Sequence, residues 1–264
     1  MVSKHWLAAL GFTTAQVLLA APQQTPPDPS SLLASATPAT PGPDKPQAVV
    51  TPEMHGDIFM ARKMFREAVE AYSEGPQNSA VILNKTGIAY HQMMELGLAK
   101  RYYEKAYRAD PHYAEAINNL GTVFYAQKNY RRAVSQYLKA LRITPSSASI
   151  YSNLGTGYFA RKDYKRASEA WQHALALDPD VFETRSTRGV LLQEKSVEER
   201  AKFHYYMAKM YAKQGANDRA LLYMRKALEE GFKERDKFQK EPEFAGLREL
   251  PEFKELLTLE PRVL

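Results

Sequence analysis

Residues Ala114–Pro145 read AEAINNLGTVFYAQKNYRRAVSQYLKALRITP, and this stretch decides the fold. In its first half Ala114, Ile117, Leu120, Gly121 and Phe124 recur at helical spacing and share one face. Gly121, Ala133 and Ala140 are small where two helices must approach closely, and Phe124 and Tyr137 fill the space those residues leave. Pro145 cannot continue a helix, so it ends the second one and starts whatever follows. The segment is therefore a helix–turn–helix unit.

The same pattern recurs on either side at intervals of 34 residues. Gly87, Gly121 and Gly155 keep this spacing, as do Ala99, Ala133 and Ala167, then Ala106, Ala140 and Ala174. Pro111, Pro145 and Pro179 form a fourth column. Two aromatic columns complete the register: Tyr90, Phe124, Tyr158 and Tyr103, Tyr137, Trp171. Thr86 departs from it, standing where the next two units carry Leu120 and Leu154. In length and signature positions the unit resembles the tetratricopeptide repeat. A single pair of helices cannot bury its apolar face alone, so units stack into a solenoid. The fold expected is all-α: a tetratricopeptide α-solenoid, a right-handed superhelix of helix–turn–helix repeats with C-terminal capping helices.

Working outward, residues 80–113, 114–147 and 148–181 are the three full repeats. Residues 54–79 read as a degenerate opening repeat in which FMARKMFREAVEAYSEGP supplies the second helix, Ala68 preceding Ala99 by 31 residues. Downstream, Ala208, Tyr211, Ala220 and Ala227 restore the register after a shift of 53, which is 34 plus an insertion of 19 residues at 182–200. Ser196-Val-Glu-Glu199 has the spacing of a capping box and predicts a long helix running to Gln214, ended by Gly215. Residues 201–234 are then a divergent repeat and 235–264 a cap, with Phe238, Phe244, Leu247, Leu250, Phe253 and Leu257 as anchors.

Before the repeats, residues 1–21 pair a basic start (Lys4) with the apolar run Leu7–Ala20 and small residues at its end, the pattern of a secretory signal peptide. The run is shorter than the ~20 apolar residues a membrane-spanning helix needs. Residues 22–53 are rich in Pro, Ala, Ser and Thr, with 9 of the 16 prolines, and read as a disordered tether. Export to a bacterial periplasm or medium is the localisation expected.

The 264 residues include no cysteine, which excludes disulfides, thiolate metal sites and cysteine nucleophiles. The net charge of +6 comes from interspersed signs and argues only weakly for an anionic partner. No phosphate loop, HExxH, GxSxG or GxGxxG pattern is present, and the six histidines lack paired ligand spacing. The chain is expected to be no enzyme and to need no cofactor or metal. Its expected partner is a protein or peptide, with neither nucleic acid nor a small-molecule substrate indicated.

The resemblance also implies where that partner binds, because first helices of successive tetratricopeptide repeats line a concave groove. The face opposite the packing face selects Val81, Asn84, Ile88 and His91, then Asn118, Thr122 and Tyr125, then Ser152, Thr156 and Phe159. Asn119 and Asn153 match an asparagine column that contacts the ligand main chain in some family members, although a solvated polar role fits them equally. Lys85 interrupts that column. The carboxylate clamp of chaperone-binding members is not expected: Ile88 takes the place of a clamp asparagine, and Ser149 and Asn153 replace the basic pair. Two alternatives remain open: occupation of the groove by the insertion, and a self-associating scaffold.

Overall fold

A computed structural model describes residues 50–182 and 196–260. The signal-peptide stretch, residues 22–49 of the tether, residues 183–195 of the insertion and the last four residues lie outside the described residues. The helices between Ala80 and Leu177 follow the 34-residue repeat register.

Five helical hairpins form the stack: α1 (Pro52–Ala61) with α2 (Phe65–Ser73), α3 (Ala80–Gln92) with α4 (Leu96–Ala109), α5 (Ala114–Ala126) with α6 (Tyr130–Ile143), α7 (Ala148–Ala160) with α8 (Tyr164–Leu177), and α9 (Val197–Lys213) with α10 (Asn217–Glu229). The second helix of each of the first three hairpins meets the first helix of the next, so every internal helix is wedged between two hairpins. Hydroxyl side chains cap four of the five first helices: Thr51, Ser79, Ser147 and Ser196 accept from backbone amides in the first turns of α1, α3, α7 and α9. The four second helices from α4 to α10 carry apolar faces toward the stack and polar faces away, as an outer layer requires.

Within each of the first four hairpins one glycine sets the distance. A Cβ built on Gly56, Gly87, Gly121 or Gly155 would lie 2.1–2.6 Å from the ring of Tyr72, Tyr103, Tyr137 or Trp171, far inside contact distance. The four rings are all buried, so neither partner can move away. Glycine is therefore required there to let an aromatic side chain lie against the facing backbone. Gly56 and Tyr72 stand 31 residues before Gly87 and Tyr103, so the opening unit is a complete hairpin. Its first helix begins at Pro52, inside the stretch read as tether, because Pro is well suited to a helix start.

The turn inside each hairpin is also built to one plan. Lys63, Met94, Lys128, Lys162 and Gly215 all have φ between 59° and 74°. The residue after each donates its amide five residues back, as Asn129 N–H does to Phe124 O at 2.8 Å. This is the left-handed C-terminal cap that closes a helix and reverses the chain. Only the last of the five positions carries glycine.

The end of the stack is closed by α11 (Asp236–Lys240), a 3₁₀ segment (Pro242–Leu247) and α12 (Pro251–Leu256). The 3₁₀ segment packs on α9 and α12 on α10, where a sixth hairpin would otherwise begin. Phe238, Phe244, Leu247, Phe253 and Leu256 are buried there, while Leu250 and Leu257 are half-buried. Tyr205 of α9 stacks on Phe232 at 4.5 Å and meets Phe238 and Phe244 edge-on or tilted.

Candidate functional site

The first helices place the residues selected from the sequence along one ridge, but most of them face a neighbouring helix and not solvent. Asn84, Asn118, Thr122, Tyr125, Asn153, Thr156 and Phe159 are all buried. Ile88, His91, Asn119 and Ser152 are half-buried, and Val81 is 38% exposed. The reason is geometric. A first helix touches its own hairpin partner, the preceding hairpin and the next first helix, since α3 meets α5 and α5 meets α7. The face opposite a hairpin's own packing face is thus partly consumed by stacking.

The asparagines show what the ridge does instead. Asn119 Nδ2 donates to Asn84 Oδ1 at 3.0 Å, and Asn153 Nδ2 donates to Asn118 Oδ1 at 2.9 Å. Asn118 Nδ2 in turn donates to Asn119 Oδ1 at 3.3 Å, and Asn84 Nδ2 to the Tyr113 hydroxyl at 3.4 Å. Lys85, the apparent interruption, continues the same series: its ammonium reaches Glu53 at 2.7 Å and Asp57 at 2.6 Å on α1. Burial lowers its proton affinity, but the bonds to Asp57 and Glu53 outweigh that and raise it. In three consecutive joints, then, the same register position reaches back to the preceding first helix. The expectation that Asn153 meets a ligand main chain is corrected: at 1% exposure its amide is held inside the stack.

The two aromatic candidates are covered in different ways. Phe159 is enclosed by Tyr164 (5.4 Å), Trp171 (5.6 Å), Phe203 (6.1 Å) and Tyr206 (6.2 Å), the last two from α9. Tyr125 lies against Tyr130 at 5.3 Å. Burial raises the pKa of its hydroxyl, and Tyr130 and the Glu199 carboxylate raise it further. Glu199 belongs to the extra first turn of α9, which therefore acts electrostatically on the end of α5, two hairpins back.

Apart from Ser152 on α7, what stays accessible lies at the α3–α5 end. Ile88 packs partly on Ala99, Tyr103 and Val123. The His91 ring nitrogen Nδ1 and the Thr122 hydroxyl are 3.5 Å apart, and burial lowers the pKa of His91. Thr122 and Thr156 spend their hydroxyl protons on the Asn119 and Ser152 carbonyls of their own helices. Sequence reasoning passed over Glu115, which is exposed near the start of α5 and occupies the same register position as Val81. Among the described residues no group of three or more His, Asp or Glu side chains is placed to hold a metal, and no helix is long and apolar enough to cross a membrane.

Comparison with known families settles the character of the hairpins. Profiles described as tetratricopeptide repeat match residues 81–113 and 148–181, and one described as TPR repeat matches residues 121–156. The three hairpins from α3 to α8 are tetratricopeptide repeats. The tetratricopeptide stack is a scaffold for protein–protein contact, and the all-α solenoid expected from the sequence is the fold observed. No curated protein matches the chain. Among solved structures, a crystal structure of MamA is similar at 22% identity and TM-score 0.46, covering 66% of this chain and 93% of that one. MamA 41-end from Desulfovibrio magneticus RS-1 is similar at 20% identity and TM-score 0.46, over 66% of this chain and 89% of that one. The first TPR of Spaghetti (RPAP3), bound to HSP90 peptide SRMEEVD, is similar at 25% identity and TM-score 0.39, over 41% of this chain and 86% of that one.

Proposed function

We propose that this protein is an exported adaptor of the bacterial cell envelope that holds a partner protein at the α3–α5 end of its tetratricopeptide ridge. The observation that carries the reading is the graded burial of the ridge. Phe159 at the α7 end is covered by α9, whereas Val81, Ile88, His91 and Asn119 keep accessible surface on a backbone fixed by the ladder beneath them. Such a surface is already ordered, so a partner with an apolar side chain gains affinity without first ordering the site. Residues 1–21 support export through their basic start and short apolar run.

Two measurements test it. Residues 1–49 fused to a reporter that is active only outside the cytoplasm should give activity and a mature start near residue 21 or 22. An inactive reporter overturns export. Cross-linking capture from envelope extract should retain a partner that Val81→Asp with Ile88→Asp loses, at an unchanged circular-dichroism spectrum. Retention of the same partner by that variant overturns the α3–α5 site, and capture of nothing but its own copies replaces the adaptor with a scaffold.

A further inference from the structure

The two ends of the helices differ sharply in charge at the third and fourth hairpins. The turns and first helical residues at 127–132 and 161–166 hold seven Lys or Arg among twelve residues, with Asp163 as the one acid. All seven cations are exposed. At the opposite end, the connections 109–113, 143–147 and 178–182 hold no Lys or Arg and carry Asp110, Asp178 and Asp180. Between the two basic turns lies an open cavity of about 610 Å³ lined by Gln127, Lys128, Asn129, Tyr130, Arg131 and Arg161.

Three features describe these two turns. Among the described residues, no carboxylate lies within ion-pair distance of Lys128, Arg131 or Arg161, so the charge of these turns is not neutralised locally. Lys128 and Lys162 both sit at φ near 60°, a conformation that favours the glycine found at the same place in the last hairpin. The cluster is also bounded: the neighbouring turn of the second hairpin reads Met93-Met94-Glu95 and carries no cation.

We propose that this cavity docks a short acidic segment of a partner protein, a run of Asp or Glu side chains crossing the two turns. Carboxylates complement the three cations, and the side-chain amide of Gln127 suits a peptide group between them, while Asn129 Oδ1 is held by the Arg132 amide as the cap of α6. The break at Glu95 limits the footprint to two hairpins, which fits a short segment better than a continuous anionic surface. Tyr130 already packs on Tyr125, so no free ring offers a platform for bases. This surface lies at the hairpin turns, apart from the ridge residues proposed above, and stands or falls without them.

The test uses the whole chain and a fluorescently labelled decapeptide rich in glutamate, read by anisotropy at low salt. Lys128→Gly with Arg131→Ala and Arg161→Ala removes the three cations, the glycine suiting the local backbone. A control removes three other exposed cations, Arg101, Arg108 and Arg142, for the same change in net charge. The wild type should bind with an affinity that falls as salt rises, and the turn variant should bind about tenfold more weakly. The control should stay within about twofold of wild type, as scattered exposed charges contribute little. Equal losses in both variants, or no binding by the wild type, overturn the proposal. So does binding of phosphatidylglycerol vesicles by the wild type without binding of the peptide.

Discussion

The joint between α6 and α7 and the joint between α8 and α9 solve one problem by opposite means. At the first, backbones come close: a Cβ added to Gly157 would stand 2.9 Å from Val134 Cγ2. At the second, α8 and α9 backbones meet only sparsely, and rings span the gap, with Trp171 to Phe203 at 5.2 Å and Tyr164 stacked on Tyr206 at 5.3 Å. The first joint has a short connection and a strict register. The second follows the insertion at 182–200, which frees α9 from the spacing that short connections impose. Large rings tolerate variable separation because several geometries satisfy them, whereas small residues demand one distance. Regular spacing is therefore enforced by glycine and alanine, and irregular spacing is absorbed by aromatic side chains.

That contrast can be broken most forcefully at Trp171, which serves both sides. Trp171 is fully buried, packs on Gly155, and joins Phe159 to Phe203. Trp171→Ala should cost about 4 kcal/mol of stability, as large core truncations do. Urea unfolding should then show the α9–α10 hairpin melting separately, and a single unchanged transition would refute the role of the rings. A smaller effect sharpens the difference within hairpins. Gly121→Ala should cost about 2 kcal/mol by overpacking the buried Tyr137 ring. The last hairpin carries Ala208 and Met224 at the two places, both fully buried. There the reverse change, Ala208→Gly, should cost about 1 kcal/mol through the helical preference for alanine. If glycine were neutral at both sites in denaturant melts, the spacing argument would be wrong. The smallest effect has the opposite sign: Lys128→Gly should raise stability by up to about 1 kcal/mol, and Gly215→Ala should lower it by a similar amount.

How far the sequence revealed this can be said position by position. The columns Gly87, Gly121, Gly155 and Tyr103, Tyr137, Trp171 announced the hairpin geometry because each pair is a direct contact, and contacts of fixed spacing leave periodic traces. The first helix of the opening unit escaped notice although Gly56 and Tyr72 carry the same signal, because Pro52 closes a proline-rich stretch. The ridge was the harder case. Asn118, Asn153 and Phe159 are polar or aromatic residues on what looks like an outer face of one helix, and only the neighbouring helices decide whether that face is outside. A pattern within one repeat reports contacts inside that repeat; coverage by the next one leaves no mark in it. The left-handed turns illustrate the same limit, since Lys63, Lys128 and Lys162 occupy a conformation that residue type alone assigns to glycine.

The asparagine ladder has one more consequence, for the length the molecule can reach. Residues 114–147 carry both an accepting Asn118 and a donating Asn119, while 80–113 pairs Asn84 with Lys85 and 148–181 pairs Ser152 with Asn153. A tandem copy of 114–147 would thus present to itself the complementary groups it presents to its neighbours. Copies of either flanking repeat would replace the amide-to-amide bond by a lysine-to-amide or an amide-to-hydroxyl bond. The middle repeat is the segment whose copies would reproduce the amide-to-amide bond, with the α1–α2 and α9–α10 hairpins still closing the stack.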